Sequence, residues 1–177
     1  MMVMIFVSAV AAASEYRSPK VGGGGGNRNY NLDCGANALM VGINGKSGSW
    51  LNAIGIVCRK INARGGLGDT FTRGPRGGSG GKAKESLCRP GEAVRKVQIA
   101  AGTYVHGITF HCAKWNPNTK RLDKPLRYNH FGAGCFTFGC SSQGPFTCPN
   151  GKVAKAFRGR YGSYVDNTRY VCDDWNK

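Results

Sequence analysis

The chain has 177 residues, 41% of them hydrophobic, and carries 25 Lys and Arg against 9 Asp and Glu, a net charge of +16. That length supports one domain with its own core, and the hydrophobic share excludes a disordered chain. The 28 glycines, roughly twice the usual share, argue against a helical bundle, because each costs about 1 kcal/mol in a helix; many short strands and turns are expected instead.

The first thirteen residues, "MMVMIFVSAVAAA", are apolar and uncharged and end in small residues. They predict a signal peptide cleaved after Ala13, and hence secretion, although no basic residue precedes the apolar run. The run is too short to span a bilayer, and no later segment is long and apolar enough. The predicted domain covers residues 21–177.

A run of five glycines, Gly22 to Gly26, opens that domain. From Cys34 the chain reads "CGANALMVGINGKSGSWLNAIGIVC". Leu39, Val41 and Ile43 alternate before a central glycine, and Ile54 and Ile56 alternate after it, the pattern of a β-hairpin. The next 29 residues, ending in the second glycine cluster Gly77 to Gly81 and "KAKESL", are long enough for two further strands.

The hairpin then recurs twice, as "CRPGEAVRKVQIAAGTYVHGITFHC" and "CPNGKVAKAFRGRYGSYVDNTRYVC". Cys34 and Cys58, Cys88 and Cys112, and Cys148 and Cys172 are each 24 residues apart, so the units align without gaps. Fourteen residues after the first cysteine of each unit stands Gly48, Gly102 or Gly162. An aromatic follows (Trp50, Tyr104, Tyr164), then an aliphatic (Leu51, Val105, Val165) and a variable polar residue (Asn52, His106, Asp166). Between the last two units lie another strand-length segment, a weaker "GAG" at Gly132 to Gly134, and "CFTFGC".

An antiparallel hairpin of this symmetry brings its ends together, so disulfides Cys34–Cys58, Cys88–Cys112 and Cys148–Cys172 are geometrically reasonable, leaving Cys135–Cys140 as a local bridge. Spacing alone does not prove this, because eight cysteines allow on the order of a hundred pairings. Zinc is the alternative use, but no second close Cys or Cys/His pair completes a site. Three amphipathic sheets could bury their apolar faces around a pseudo-threefold axis. The closing "CDDW", with Asp173 and Asp174, reads as a terminal tail.

Glycine clusters alternating with G-x-x-x-D-type tips resemble the β-prism I family of jacalin-related lectins, with griffithsin-like G-x-Y-x-D tips; the likeness covers all three units. "DNTRYVC" is also similar to segments of the vitelline membrane outer layer protein I family. The resemblance implies an all-β fold, a β-prism I of three antiparallel sheets. It implies a hexose site at Gly162, Ser163, Tyr164, Val165 and Asp166, closed by Gly25 and Gly26. A carboxylate accepts charge-assisted hydrogen bonds from sugar hydroxyls, glycine lets backbone approach the ring, and an aromatic offers it a flat face. A possible second site, Gly48, Ser49, Trp50, Leu51 and Asn52 with Gly80 and Gly81, has an amide in place of the carboxylate. The tip at His106 departs furthest.

Two plainer readings stand beside this one. The tip glycines could serve only a turn needing positive φ, and Asp166 could be an ion-pair partner of Arg158, Arg160 or Arg169. No nucleophile with base and orienting group is evident, so neither an enzyme nor a cofactor or metal is expected. The partner implied is carbohydrate, a mannose-type hexose or cell-surface glycan. The alternative is a disulfide-stabilised basic structural or defence protein that binds anionic polysaccharide or lipopolysaccharide through its charge. Nucleic acid is disfavoured by the predicted export.

Overall fold

The computed structural model describes residues 14–125, 127–135 and 139–177, and the predicted signal peptide lies outside them. Among the described residues the regular elements are strands. Two short ones, β1 (Tyr16–Arg17) and β2 (Val21–Gly22), precede β3 (Arg28–Asp33). The first repeat unit forms β4 (Ala38–Ser47) and β5 (Leu51–Ile61), followed by β6 (Leu67–Gly77) and β7 (Lys82–Leu87). The second forms β8 (Glu92–Ala101) and β9 (Val105–Asn116), followed by β10 (Arg121–Leu122), β11 (Arg127–Gly132) and β12 (Ser141–Thr147). The third forms β13 (Lys152–Tyr161) and β14 (Val165–Asp174).

Each repeat hairpin is the centre of one antiparallel sheet. The orders are β6-β5-β4-β7, then β10-β9-β8-β12 with β11 also on β9, then β1-β14-β13-β3 with β2 also on β14. The first two hairpins take their flanking strands from the segment that follows them. The third takes its own from the N-terminal end, and Tyr16–Arg17, upstream of Val21, already pairs with Val171–Cys172. The chain thereby closes on itself as three sheets forming a β-prism I.

The hairpins share more than their length. Each pair slips register at the same two places. The first slip leaves Val41, Arg95 and Lys155 as extra residues, and the second leaves Asn52, His106 and Asp166. A β-bulge re-aims its extra residue out of the strand's alternation. At the first bulge the freed carbonyl extends the pairing with the flanking strand by one residue in each sheet: Cys34 N–H donates to Lys155, Cys88 N–H to Val41 and Cys148 N–H to Arg95, at 2.8–3.0 Å.

The three long disulfides close these hairpins as expected, with Cα separations of 5.6–5.7 Å, and Cys135–Cys140 is the fourth. All eight cysteines are used, which overturns the zinc alternative. One apolar cluster fills the prism, including Ile43, Ile54, Ile56, Ile99, Phe110, Phe157 and Tyr170. A second, around Leu39, Ala93, Trp115 and Val153, fills the end where the chain enters and leaves the hairpins.

At that base Lys155 is 2% exposed, and its Nζ donates to the carbonyls of Gly35, Ala38 and Trp175 at 2.5–3.2 Å. Burial pushes its pKa down to about 8, against the pull of Asp33, Asp173 and Asp174. The expected terminal tail is not one. Asp173 and Asp174 complete β14, where both pair with Lys152 at 3.4 Å.

Candidate functional site

The three hairpin tips meet at the opposite end of the prism. Each closes with the same hydrogen bond, from Gly48 N–H to the Trp50 carbonyl, Gly102 to Tyr104 and Gly162 to Tyr164, all at 3.0 Å. None of these glycines has positive φ, so the turn-strain reading of them is corrected. A Cβ on Gly162 would sit 3.9 Å from Asp166 Oδ2 and 3.9 Å from Gly26 Cα. Its missing side chain keeps clear the space between the tip and the glycine run.

Positive φ belongs to the facing loops. Gly22, Gly77 and Gly132, spaced 55 residues apart, have φ of 115°, 146° and 103°. A Cβ on any of them would collide with the carbonyl of Asp166, Asn52 or His106 respectively. The following N–H then binds that carbonyl: Gly23 to Asp166, Gly78 to Asn52 and Ala133 to His106, at 2.8–2.9 Å. The second bulge and its glycine loop thus form one unit, repeated three times.

At the third tip the bulge directs Asp166 into the glycine run. Its carboxylate lies against Gly25 and Gly26; a Cβ on Gly26 would be 2.7 Å from Oδ2, and one on Gly25 would overlap Oδ1. Asp166 is 5% exposed. Among the described residues it has no ion pair. Arg158 is held elsewhere, by both oxygens of Glu15 at 2.8 Å and by Asp33 at 3.4 Å. Arg160 donates to the Gly24 carbonyl at 3.3 Å. Burial raises the Asp166 pKa above the ordinary carboxylate value, opposed by the Gly162 N–H, the Arg160 charge and its own N–H.

The first tip repeats the arrangement with an amide. Asn52 is 8% exposed, and Cβ atoms on Gly80 and Gly81 would run into its Nδ2 and Oδ1. The second tip breaks it. Cys135, of the Cys135–Cys140 bridge, falls where Gly25 and Gly80 stand in the other loops. His106 is 2% exposed, its ring 6.2 Å from Trp50, and burial lowers its pKa.

The side chains of Val165 and Leu51 belong to the core, at 0% exposure, so only their backbone can face a ligand. The tip aromatics do not stand apart as separate platforms. Trp50, Tyr104 and Tyr164 pack on one another around the axis, with ring centroids 4.8–5.8 Å apart. Such contacts are worth about 0.5–1.5 kcal/mol per pair beyond burial, and they fix the tips relative to each other.

A cleft of about 480 Å³ joins the two glycine-lined tips: Asn52 and Gly77–Gly80 form one wall, Gly162–Tyr164 the other, and Asn27 and Arg28 the end. Asn27 and Arg28 were not singled out from the sequence, because "NRN" after the glycines carries no motif. Among the described residues no cluster of His, Cys, Asp or Glu could hold a metal ion.

Three antiparallel sheets, each with a bulged tip facing a glycine loop, define a jacalin-like β-prism I. Solved structures with this fold include a lectin of Malaysian banana at 19% identity, matched over 91% of this chain and 99% of that one with a TM-score of 0.57. A mannose-specific jacalin-related lectin of Morus nigra, solved with mannose, is 20% identical over 92% and 96% with a TM-score of 0.59. Artocarpin, solved with mannopentose, is 16% identical over 91% and 99% with a TM-score of 0.60. No family model matches the sequence, and no curated protein does.

Proposed function

We propose that the protein is a secreted lectin that binds a mannose-type hexose at the third tip. Asp166 accepts hydrogen bonds from sugar hydroxyls, the backbone of Gly162–Val165 lines the site, and Gly25 and Gly26 close it. The observation that carries this reading is the carboxylate of Asp166, a residue 5% exposed, which has no ion-pair partner among the described residues and sits against two glycines at a surface tip. A desolvated carboxylate with no ion pair, held by backbone N–H groups at a tip, is suited to accept from a ligand. Mannose and mannopentose in the solved structures of the same fold support the sugar class. Four disulfides fit an oxidising, extracellular setting.

Asn52 makes the first tip a weaker site, since an amide offers one acceptor oxygen without charge. The test is retention on immobilised mannan in high salt with release by free methyl α-mannoside. Salt-released binding that mannoside does not displace would favour the second reading, a basic coat protein held to polyanions by its +16 charge.

A further inference from the structure

We propose that the cleft between the first and third tips is a second subsite, which reads an acidic substituent, carboxylate or sulfate, on the sugar adjoining the hexose at Asp166. Arg28 supplies the charge and Asn52 the neutral polar contact. This inference rests on the hexose reading of the third tip.

The cleft shares a wall with that tip. Gly162, Ser163 and Tyr164 line it on one side, and a Cβ on Gly78 across from them would strike the Ser163 carbonyl. A sugar extending from the third tip toward the first therefore enters a space walled mostly by backbone, where glycines allow close approach. Arg28 is the one formally charged residue in its lining, and no carboxylate faces it there. It opens β3 as the strand partner of Tyr161, the residue before Gly162.

The acids that form ion pairs are engaged away from Arg28. Glu15 and Asp33 are taken by Arg158, Glu92 by Arg127, and Asp173 and Asp174 by Lys152 and Lys177. Among the described residues Arg28 makes no ion pair or side-chain hydrogen bond, and it is exposed. A guanidinium at the end of a polar cleft is suited to a two-oxygen anion. Asn52, in the same lining, can both donate and accept, which suits the ring hydroxyls beside that anion.

The test is calorimetric titration of the full chain, in about 0.15 M salt, with neutral mannobiose, a mannosyl-glucuronate disaccharide and a sulfated mannobiose. Wild type is compared with Arg28→Gln and with Arg64→Gln, which removes the same charge from the loop at the base. Wild type should bind one or both acidic disaccharides roughly tenfold tighter than the neutral one, and which of them gains identifies carboxylate or sulfate. Arg28→Gln should abolish that gain and leave neutral affinity unchanged, while Arg64→Gln alters neither. Intact neutral binding with no acidic gain, or equal losses in the two variants, overturns the subsite alone. Neutral binding that is absent, or untouched by Asp166→Asn, overturns the hexose reading and the subsite with it.

Discussion

Replacing Asp166 by asparagine keeps the shape of the side chain against Gly25 and Gly26 and removes only its charge. Hydrogen bonds to a charged group contribute about 1.5–3 kcal/mol and neutral ones about 1 kcal/mol. If both carboxylate oxygens accept from a hexose, Asp166→Asn should cost about 2–3 kcal/mol of binding, roughly 30- to 150-fold in Kd. Stability should behave differently. Burial already penalises the charged carboxylate, and no ion pair to Asp166 is lost among the described residues, so the variant should unfold within about 0.5 kcal/mol of wild type. Isothermal titration with methyl α-mannoside and urea denaturation of the same samples measure the two quantities. Affinity within twofold of wild type, in a variant that remains folded, would refute the role given to the carboxylate. A large loss of stability would show that Asp166 is a structural anchor instead.

Four further outcomes are expected. Asn52→Asp should convert the first tip into a second competent site, raising the stoichiometry of methyl α-mannoside binding from one toward two. Because burial raises the Asp166 pKa, sugar affinity should fall on acidification sooner than an ordinary aspartate would allow. The same shift makes this group's contribution to stability improve as pH falls, since the folded state then holds the proton more tightly than the unfolded chain. Lys155, with a folded pKa of about 8 against an ordinary 10.5, should let stability rise as pH increases between those values; denaturation of Lys155→Met should lose that slope and about 2–3 kcal/mol, from the buried bonds its Nζ makes to the carbonyls of Gly35, Ala38 and Trp175, the last of which keeps the Asn37 N–H. Replacing Cys88 and Cys112 by serine should cost about 3 kcal/mol in chemical denaturation, the loop-closure value for a bridge of this span.

The cysteines made the hairpins legible in the sequence, because three equal spacings with a glycine midway align the units without gaps; the pairing itself is fixed by the fold. The pairing of Asp166 with Gly22–Gly26 and of Asn52 with Gly77–Gly81 followed from the family resemblance, and both side chains do lie against those loops. What remained hidden depends on register. A bulge has no residue signature of its own, so Val41, Arg95 and Lys155 read as ordinary strand positions. Asp166, Asn52 and His106 were legible as the polar residues of the tips, but their place as the extra residue of a bulge was not. The packing of Trp50, Tyr104 and Tyr164 on the axis required the sheets to be placed relative to one another, as did the cleft ending at Arg28. Charge on the third repeat suggested arginine as the partner of Asp166, but Glu15, 143 residues distant and in no motif, is what engages Arg158.

The central claim is that the third tip, with its glycine loop, is the hexose site, and amide chemical-shift mapping during a titration with methyl α-mannoside tests it most directly. The account predicts saturable shifts confined to residues 22–26 and 162–167, with weaker ones at 48–52 and 77–81; in Asp166→Asn the first set should fall to the level of the second, which stays unchanged. Shifts centred on the base, or on the outer faces of the sheets, or an unchanged spectrum at saturating sugar, would contradict it.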